Sequence, residues 1–129
     1  DVEPTDASIE ELTDRNAEWR KELRASMKAK ERTAIERVKM PELDPVYRAT
    51  TRTEEVNIGL TKEMALTEAK RCLDCPKPTC MEGCPVSINI PSFIKNIERG
   101  QFLAAAKVLK NTSAPTCCLR TCLPTGETV

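Results

Sequence analysis

The spacing of apolar residues predicts an all-α protein, since several segments repeat apolar positions with helical periodicity and none alternates as a strand would. The first segment begins at Ser8, which stands three residues before Glu11 in the arrangement of a capping box. Its apolar residues fall near one helical stripe: Leu12, Trp19, Leu23 and Met27. Charged residues surround this stripe, which predicts an extended N-terminal helix to about residue 29 or beyond, with a solvated charged face and laid on a partner domain.

The middle of the chain separates that helix from a second one. Pro41 and Pro45 interrupt helical geometry, so residues 40–55 are predicted to form an extended, turn-rich connector. Thr61 can cap a helix over residues 61–71. This helix would deliver Cys72 at its C-terminal end.

Two further helices are predicted near the C-terminal side. Pro91 suits the first turn of a helix that Gly100 would end, and Phe93, Ile94 and Ile97 would supply its buried face. Residues 102–110 are rich in good helix formers. Their helically spaced apolar residues are Leu103, Ala106 and Leu109.

Composition limits how such helices can be held together and what they can bind. Only 3% of the 129 residues are aromatic, so few large side chains are available for a core. The 20 basic residues equal the 20 acidic residues, which gives no basic field for nucleic acid or anionic lipid. No run is long and apolar enough for a membrane span, and the first residues do not resemble a secretory signal, so we expect a cytoplasmic protein without nucleic-acid or membrane partners.

Cysteine is the residue type that carries candidate chemistry. All seven cysteines lie between Cys72 and Cys122, and the chain has no histidine, which excludes mixed Cys/His zinc sites and His-based catalysis. The run Cys72-x2-Cys75-x4-Cys80-x3-Cys84-Pro is close to the bacterial ferredoxin pattern, with a longer middle interval. These four cysteines are therefore the predicted metal and cofactor ligands. In such runs the Cys before Pro often serves another cluster, so Cys84 can belong to a second site.

Other uses of the same cysteines remain open. Zinc would accept four thiolates in tetrahedral geometry, although its sites usually contain two well-separated cysteine pairs. A module of this kind would be a structural or docking unit rather than a redox one. The odd cysteine count argues against a closed disulfide framework, and no βαβ pattern flanks Cys72 and Cys75 as in thioredoxin-like motifs.

Several local motifs resemble one family. The chain reads KMPELDP at 39–45, EEV at 54–56, EAKRCLDC at 68–75, GCPV at 83–86 and IPSFI at 90–94. These motifs are similar to the N-terminal iron-sulfur domain of NADPH-dependent glutamate synthase small subunits, over roughly residues 30–114. Related modules open dihydropyrimidine dehydrogenase and the flavoprotein subunit of electron-bifurcating ferredoxin:NADP oxidoreductases.

The resemblance implies a helical ferredoxin-like domain that binds two [4Fe-4S] clusters and relays electrons. Cys72, Cys75 and Cys80 would serve one cluster and Cys84 the other. FAD and NADPH would bind a following domain of the same protein, and a glutamate synthase large subunit or an equivalent would be the partner. The chain would then be a fragment of an oxidoreductase, without catalytic residues of its own. We expect an N-terminal helix and connector over residues 1–55 and the iron-sulfur domain over residues 56–114.

Residues 115–129 depart from this resemblance. The family continues with a segment like LPAVCGRVCPQE, whereas this chain reads PTCCLRTCLPTGETV. One alignment pairs Cys118 and Cys122 with the two family cysteines, but the neighbouring residues disagree. When the possible codons for residues 115–129 are read in a frame that starts one nucleotide later, they can encode the family segment. We therefore expect a frameshift after Ala114, which makes residues 115–129 a non-native or disordered tail and leaves both clusters incomplete.

Overall fold

Every regular element in residues 6–112, the part of the chain that the computed structural model describes, is a helix. In chain order the helices are α1 (Ile9–Thr13), α2 (Glu18–Ser26), α3 (Ala29–Ala34), α4 (Pro45–Arg48), α5 (Lys62–Ala69), α6 (Thr79–Glu82), α7 (Ile90–Glu98) and α8 (Phe102–Lys110). The predicted all-α class is confirmed. The tail over residues 115–129, with the expected frameshift, lies outside the described residues.

The prediction of one extended N-terminal helix is wrong, because three short helices occupy this region. The predicted start is confirmed, since Ser8 and Glu11 form a capping box at α1. The helix ends at Asp14, whose backbone is extended and whose carboxylate accepts a hydrogen bond from the Asn16 N–H at 2.8 Å. Such local bonding competes with the helical backbone pattern. Met27 then adopts an extended conformation and ends α2.

The helices of the second half agree with the predicted positions. The Thr61 side chain accepts a hydrogen bond from Met64 N–H and begins α5, which ends shortly before Cys72. Asn89 caps α7 through Ser92 N–H, and Pro91 lies in its first turn. Gly100 has a φ of 83°, a left-handed conformation that allows the sharp turn into α8.

The core joins both ends of the described chain. Leu12 from α1 is buried against Ala104 and Val108 from α8, with Ala7 and Phe93 packed at the edge. The Lys107 ammonium also donates to the Ala7 carbonyl at 2.6 Å. The N-terminal segment is thus packed on the later helices of its own chain.

The prediction of a solvated charged face for this segment is wrong at two arginines. Arg20 and Arg32 are each only 2% exposed. Both guanidinium groups are buried because they donate to backbone carbonyls and pair with carboxylates of Asp74 and Glu98. Trp19 from the apolar stripe is half-buried, and the Arg99 guanidinium lies 3.9 Å from the centre of its ring. Burial of paired charges therefore replaces part of an apolar interface.

The predicted buried face of α7 is confirmed at Phe93, which packs at the edge of the core, and is wrong at Ile94 and Ile97. In α7 the buried residues include Ser92, Lys95 and Asn96, whereas Ile94 and Ile97 are only partly buried. These polar groups are buried because each bonds to another segment of the chain. In α8 the buried residues are Ala104, Ala105 and Val108, and Leu103 is 45% exposed. Apolar residues surround most of α8, so their spacing does not select one face.

The connector contains a single-turn helix and one bridge. Asp44 accepts hydrogen bonds from Val46 and Tyr47 N–H groups and begins α4. Glu42 and Asn57 form an isolated antiparallel bridge, which brings the two ends of the connector together. Among residues 6–112, the structure contains no helix with the length and apolar character needed to span a membrane.

Candidate functional site

The cysteine loop, residues 72–84, connects α5 to the segment before α7. Cys72 follows the last turn of α5, and its N–H donates to the Ala69 carbonyl at 3.2 Å. Cys80 lies in α6, and Cys84 follows it, donating its N–H to the Met81 carbonyl at 3.2 Å. The two ends of the loop are therefore attached to helical turns, and Cys75 lies between them.

The four cysteines of the loop differ in exposure. Cys75 and Cys80 are exposed, Cys72 is partly buried, and Cys84 is buried. The Cys84 sulfur accepts a hydrogen bond from the Ile88 N–H at 3.5 Å. Two thiols therefore face solvent, where an incoming metal or cluster can reach them.

Burial and the charges of neighbouring thiols raise the pKa values of two of these cysteines. Burial raises the pKa of Cys80, and the charges of Cys75 and Cys84 raise this pKa further. Hydrogen bonds from the N–H groups of Cys80 and Met81 act in the opposite direction. Burial likewise raises the pKa of Cys72, to which the charge of Cys80 adds. Cys80 thus lies within electrostatic range of the other three cysteines. A cation bound among them would favour their thiolate forms.

The turn between Cys72 and Cys75 is held by a buried carboxylate. Asp74 has a φ of 52°, a left-handed conformation that Asp and Asn tolerate better than most residues. Its side chain is fully buried and accepts two bonds from Arg20, from Nη2 at 2.6 Å and Nε at 3.0 Å. Arg24 Nη1 donates to the same carboxylate at 2.6 Å. Although burial acts in the opposite direction, these bonds lower the pKa of Asp74.

A third arginine contacts the backbone of the same residue. Arg15 donates to the Asp74 carbonyl from Nη2 at 3.0 Å and from Nε at 3.3 Å. We call Arg15, Arg20 and Arg24 the arginine cage. Arg20 also donates from Nη1 to the Thr13 carbonyl at 3.2 Å and to the Ser92 hydroxyl at 2.7 Å. The cage therefore connects the N-terminal helices, the cysteine loop and α7.

A second set of ion pairs holds the beginning of the loop. The Lys95 ammonium donates to the Cys72 carbonyl at 2.9 Å and pairs with Glu98 at 2.5 Å. Arg32 pairs with the other oxygen of Glu98 at 2.8 Å and donates to the Lys70 carbonyl at 2.7 Å. The backbone on both sides of Arg71 is thus fixed to α3 and α7.

A cavity of about 120 Å³ lies beside Cys75. Arg15 and Arg20 line it together with Met81 and Asn89. The arginine cage therefore borders solvent-accessible space next to a candidate ligand.

The chemistry of the donor set fits an iron-sulfur cluster, because the loop offers four cysteine sulfurs and the Asp74 carboxylate beside Cys75 is already bound by arginines. Thiolate ligands are those of [4Fe-4S] clusters. Within residues 6–112, no three Cys, Asp or Glu side chains converge closely enough to hold a single metal ion. The exposed part of the loop would therefore have to close around a ligand.

Sequence reasoning missed the residues that support the cysteines. Asp74 stands between two predicted ligands, and this position was the only local signal for it. Nothing in the spacing of Arg15, Arg20 or Arg24 distinguishes them from solvated charges on a helix. Their role depends on contacts more than 45 positions away along the chain, which helical periodicity does not encode.

Comparison with known proteins finds several similar relatives, among them the following three. The chain is 33% identical over 85 residues to the glutamate synthase [NADPH] small chain of Azospirillum brasilense, covering 65% of this chain and 18% of the relative. It is 33% identical over 70 residues to the NAD-dependent dihydropyrimidine dehydrogenase subunit PreT of Salmonella typhimurium, which covers 54% of this chain and 17% of the relative. It is 34% identical over 70 residues to the putative oxidoreductase UacF of Escherichia coli, which covers 53% of this chain and 11% of the relative.

The chain therefore spans less than a fifth of the length of these curated relatives. No solved structure gave a significant match. A family model described as dihydropyrimidine dehydrogenase domain II, 4Fe-4S cluster, matches residues 48–127, which include the cysteine loop. The chain belongs to this family of 4Fe-4S domains, the family also suggested by its similarity to glutamate synthase small chains.

Proposed function

We propose that the chain is the electron-transfer domain of a larger flavoprotein oxidoreductase of the glutamate synthase small-subunit type. Cys72, Cys75, Cys80 and Cys84 would hold the iron-sulfur clusters. When bound, a [4Fe-4S] cluster accepts and donates single electrons. The chain contributes binding and orientation: α5 and α7 fix Cys72, and the arginine cage fixes the turn to Cys75.

The observation that carries this proposal is the 4Fe-4S family match, which includes all four cysteines of the loop. The proposal places the protein in the cytoplasm, where the cysteine ligands of a cluster are kept reduced. The division of ligands stays part of the proposal, with Cys72, Cys75 and Cys80 at one cluster and Cys84 at the other.

The other components of the proposal come from the relatives. The name of the Azospirillum brasilense relative includes NADPH, and the chain matches only 18% of that protein. We infer that FAD and NADPH bind a domain that follows the matched region in the whole protein. The partner would be a glutamate synthase large subunit or an equivalent protein that receives the electrons.

A reversible reduction tests the proposed electron transfer. After anaerobic loading with iron and sulfide, the protein should be brown and should lose part of its visible absorption on reduction. Reoxidation should restore this absorption, because the cluster changes by single electrons without bond cleavage. A protein that binds zinc at the same cysteines would be colourless and would accept no electrons, which is the result expected for a structural or docking module.

We also propose that a one-nucleotide insertion after the codon for Ala114 accounts for the sequence of residues 115–129. The family match extends to residue 127, so some family character remains in the present reading frame. Sequencing the source gene should show that removal of one base near the codon for Pro115 opens a frame with further cysteines and a flavin-binding and NADPH-binding domain. An early stop codon in that corrected frame would contradict the insertion.

A further inference from the structure

We propose that the arginine cage and Asp74 form a positioning device for the cysteine ligands, and that its excess positive charge raises the reduction potential of the bound cluster. This inference rests on the proposed function. It assigns a role to residues 15–24, which lie outside the region matched by the family model. Asp74 and the arginines would act on the cluster through Cys72, Cys75 and the local charge, without ligating it.

The shape of the turn between Cys72 and Cys75 depends on Asp74. Only two residues separate Cys72 from Cys75, so the left-handed conformation of Asp74 determines how the two thiols are directed. The Asp74 carboxylate is bound by two guanidinium groups and its carbonyl by a third. The side chain and backbone of the central residue are thus held at the same time. A ligand loop fixed in this way loses less conformational entropy when it binds a cluster.

The arginine cage carries more positive charge than Asp74 can neutralise. Three guanidinium groups meet one carboxylate, and no other carboxylate in the described chain forms a salt bridge with Arg15, Arg20 or Arg24. Asp74 therefore neutralises one of three positive charges. A four-thiolate [4Fe-4S] cluster is an anion that becomes more negative on reduction, and nearby charge is one determinant of its potential. Positive charge beside Cys75 should therefore favour the reduced state.

The arginines of the cage differ in how deeply they are buried. Arg15 and Arg20 line the cavity that also contains the surface of Cys75. Arg24 is more exposed, with 24% of its side chain accessible. It can therefore be changed with less effect on the core than Arg20, which is 2% exposed. This difference allows the charge to be tested separately from folding.

The shape of the turn is tested in the metal-free chain by hydrogen exchange. Asp74→Asn keeps the size and the tolerance for left-handed backbone but removes the charge that the arginines bind. Exchange of the backbone amides of residues 73–75, among which the Asp74 N–H bonds to the Cys72 sulfur, should become roughly tenfold faster or more. The reason is that the charge-assisted bonds that hold the turn become weaker bonds to a neutral amide. The amides of α8 serve as the internal reference for global stability. Unchanged exchange at residues 73–75 would overturn the proposal.

The charge is tested by the midpoint potential of the chain loaded with iron and sulfide. Arg24→Gln should shift the potential to a more negative value, and Arg24→Lys should restore most of the wild-type potential. Lys21→Gln is the matched control, since it removes the same charge from the exposed side of α2, and it should leave the potential unchanged. Equal potentials for Arg24→Gln and Lys21→Gln would overturn the proposal. Failure of the wild-type chain to take up iron and sulfide would instead refute the proposed function, while the exchange experiment still decides whether Asp74 positions the loop.

Discussion

Replacement of Arg20 by Met should lower the free energy of unfolding of the metal-free chain by about 3–5 kcal/mol. Arg20 is 2% exposed, and its removal leaves the Asp74 carboxylate buried with only Arg24 as its charged partner. The bonds from Arg20 to Ser92 and to the Thr13 carbonyl are lost as well. Urea denaturation followed by circular dichroism would measure the change.

The neighbouring lysine provides the control for this substitution. Lys21 forms a salt bridge with Glu18 at 3.5 Å, and both side chains are exposed. Lys21→Met should therefore change the free energy of unfolding by no more than about 0.5 kcal/mol. The cost of Arg20→Met should also be smaller in an Asp74→Asn background, because the buried charge is then absent. Equal costs in the two backgrounds would show that the ion pair does not stabilise the fold.

Replacement of Cys75 by Ser should remove most of the iron and sulfide that the chain takes up under anaerobic reconstitution. In the proposed assignment, Cys72, Cys75 and Cys80 would supply three thiolates to one cluster, and a cluster that loses one of them would have too few ligands. The wild-type chain itself should hold less than two full clusters if the family ligands after Ala114 are absent. Iron and acid-labile sulfide per chain are the quantities to measure.

The exposure of Cys75 makes this substitution a test of binding rather than of folding. Cys75 is exposed, so Cys75→Ser should leave the helical content unchanged. Lys77→Ala is a control in the same exposed segment and should retain wild-type iron and sulfide. If Cys75→Ser bound as much iron as Lys77→Ala, Cys75 would not be a ligand.

The sequence predicted the elements that carry strong local signals. Ser8 with Glu11, Thr61 and Pro91 marked helix starts that the structure confirms, because capping and the geometry of proline act within one helical turn. The cysteine run likewise identified the region of the site, since ligand spacing is a local property. Its ligand assignment stays a prediction.

The interior could not be predicted from the same patterns. Ser92, Lys95 and Asn96 are buried in α7 where polar residues would be expected at the surface. Each is accommodated by a partner at least 20 positions away, such as Arg20 for Ser92 and the Cys72 carbonyl for Lys95. Periodicity records the hydrophobicity of a position and contains no information on such partners. The same limitation made the N-terminal charges look solvated and concealed the arginine cage.

The most direct test of the cysteine site is the identity of the metal it retains. The chain should be incubated anaerobically with iron, sulfide and zinc together, separated from unbound ions, and analysed for all three. The proposed electron-transfer domain predicts iron with a matching amount of acid-labile sulfide, and a large loss of both in Cys75→Ser. One zinc per chain without sulfide would contradict an iron-sulfur site and would favour a structural or docking module.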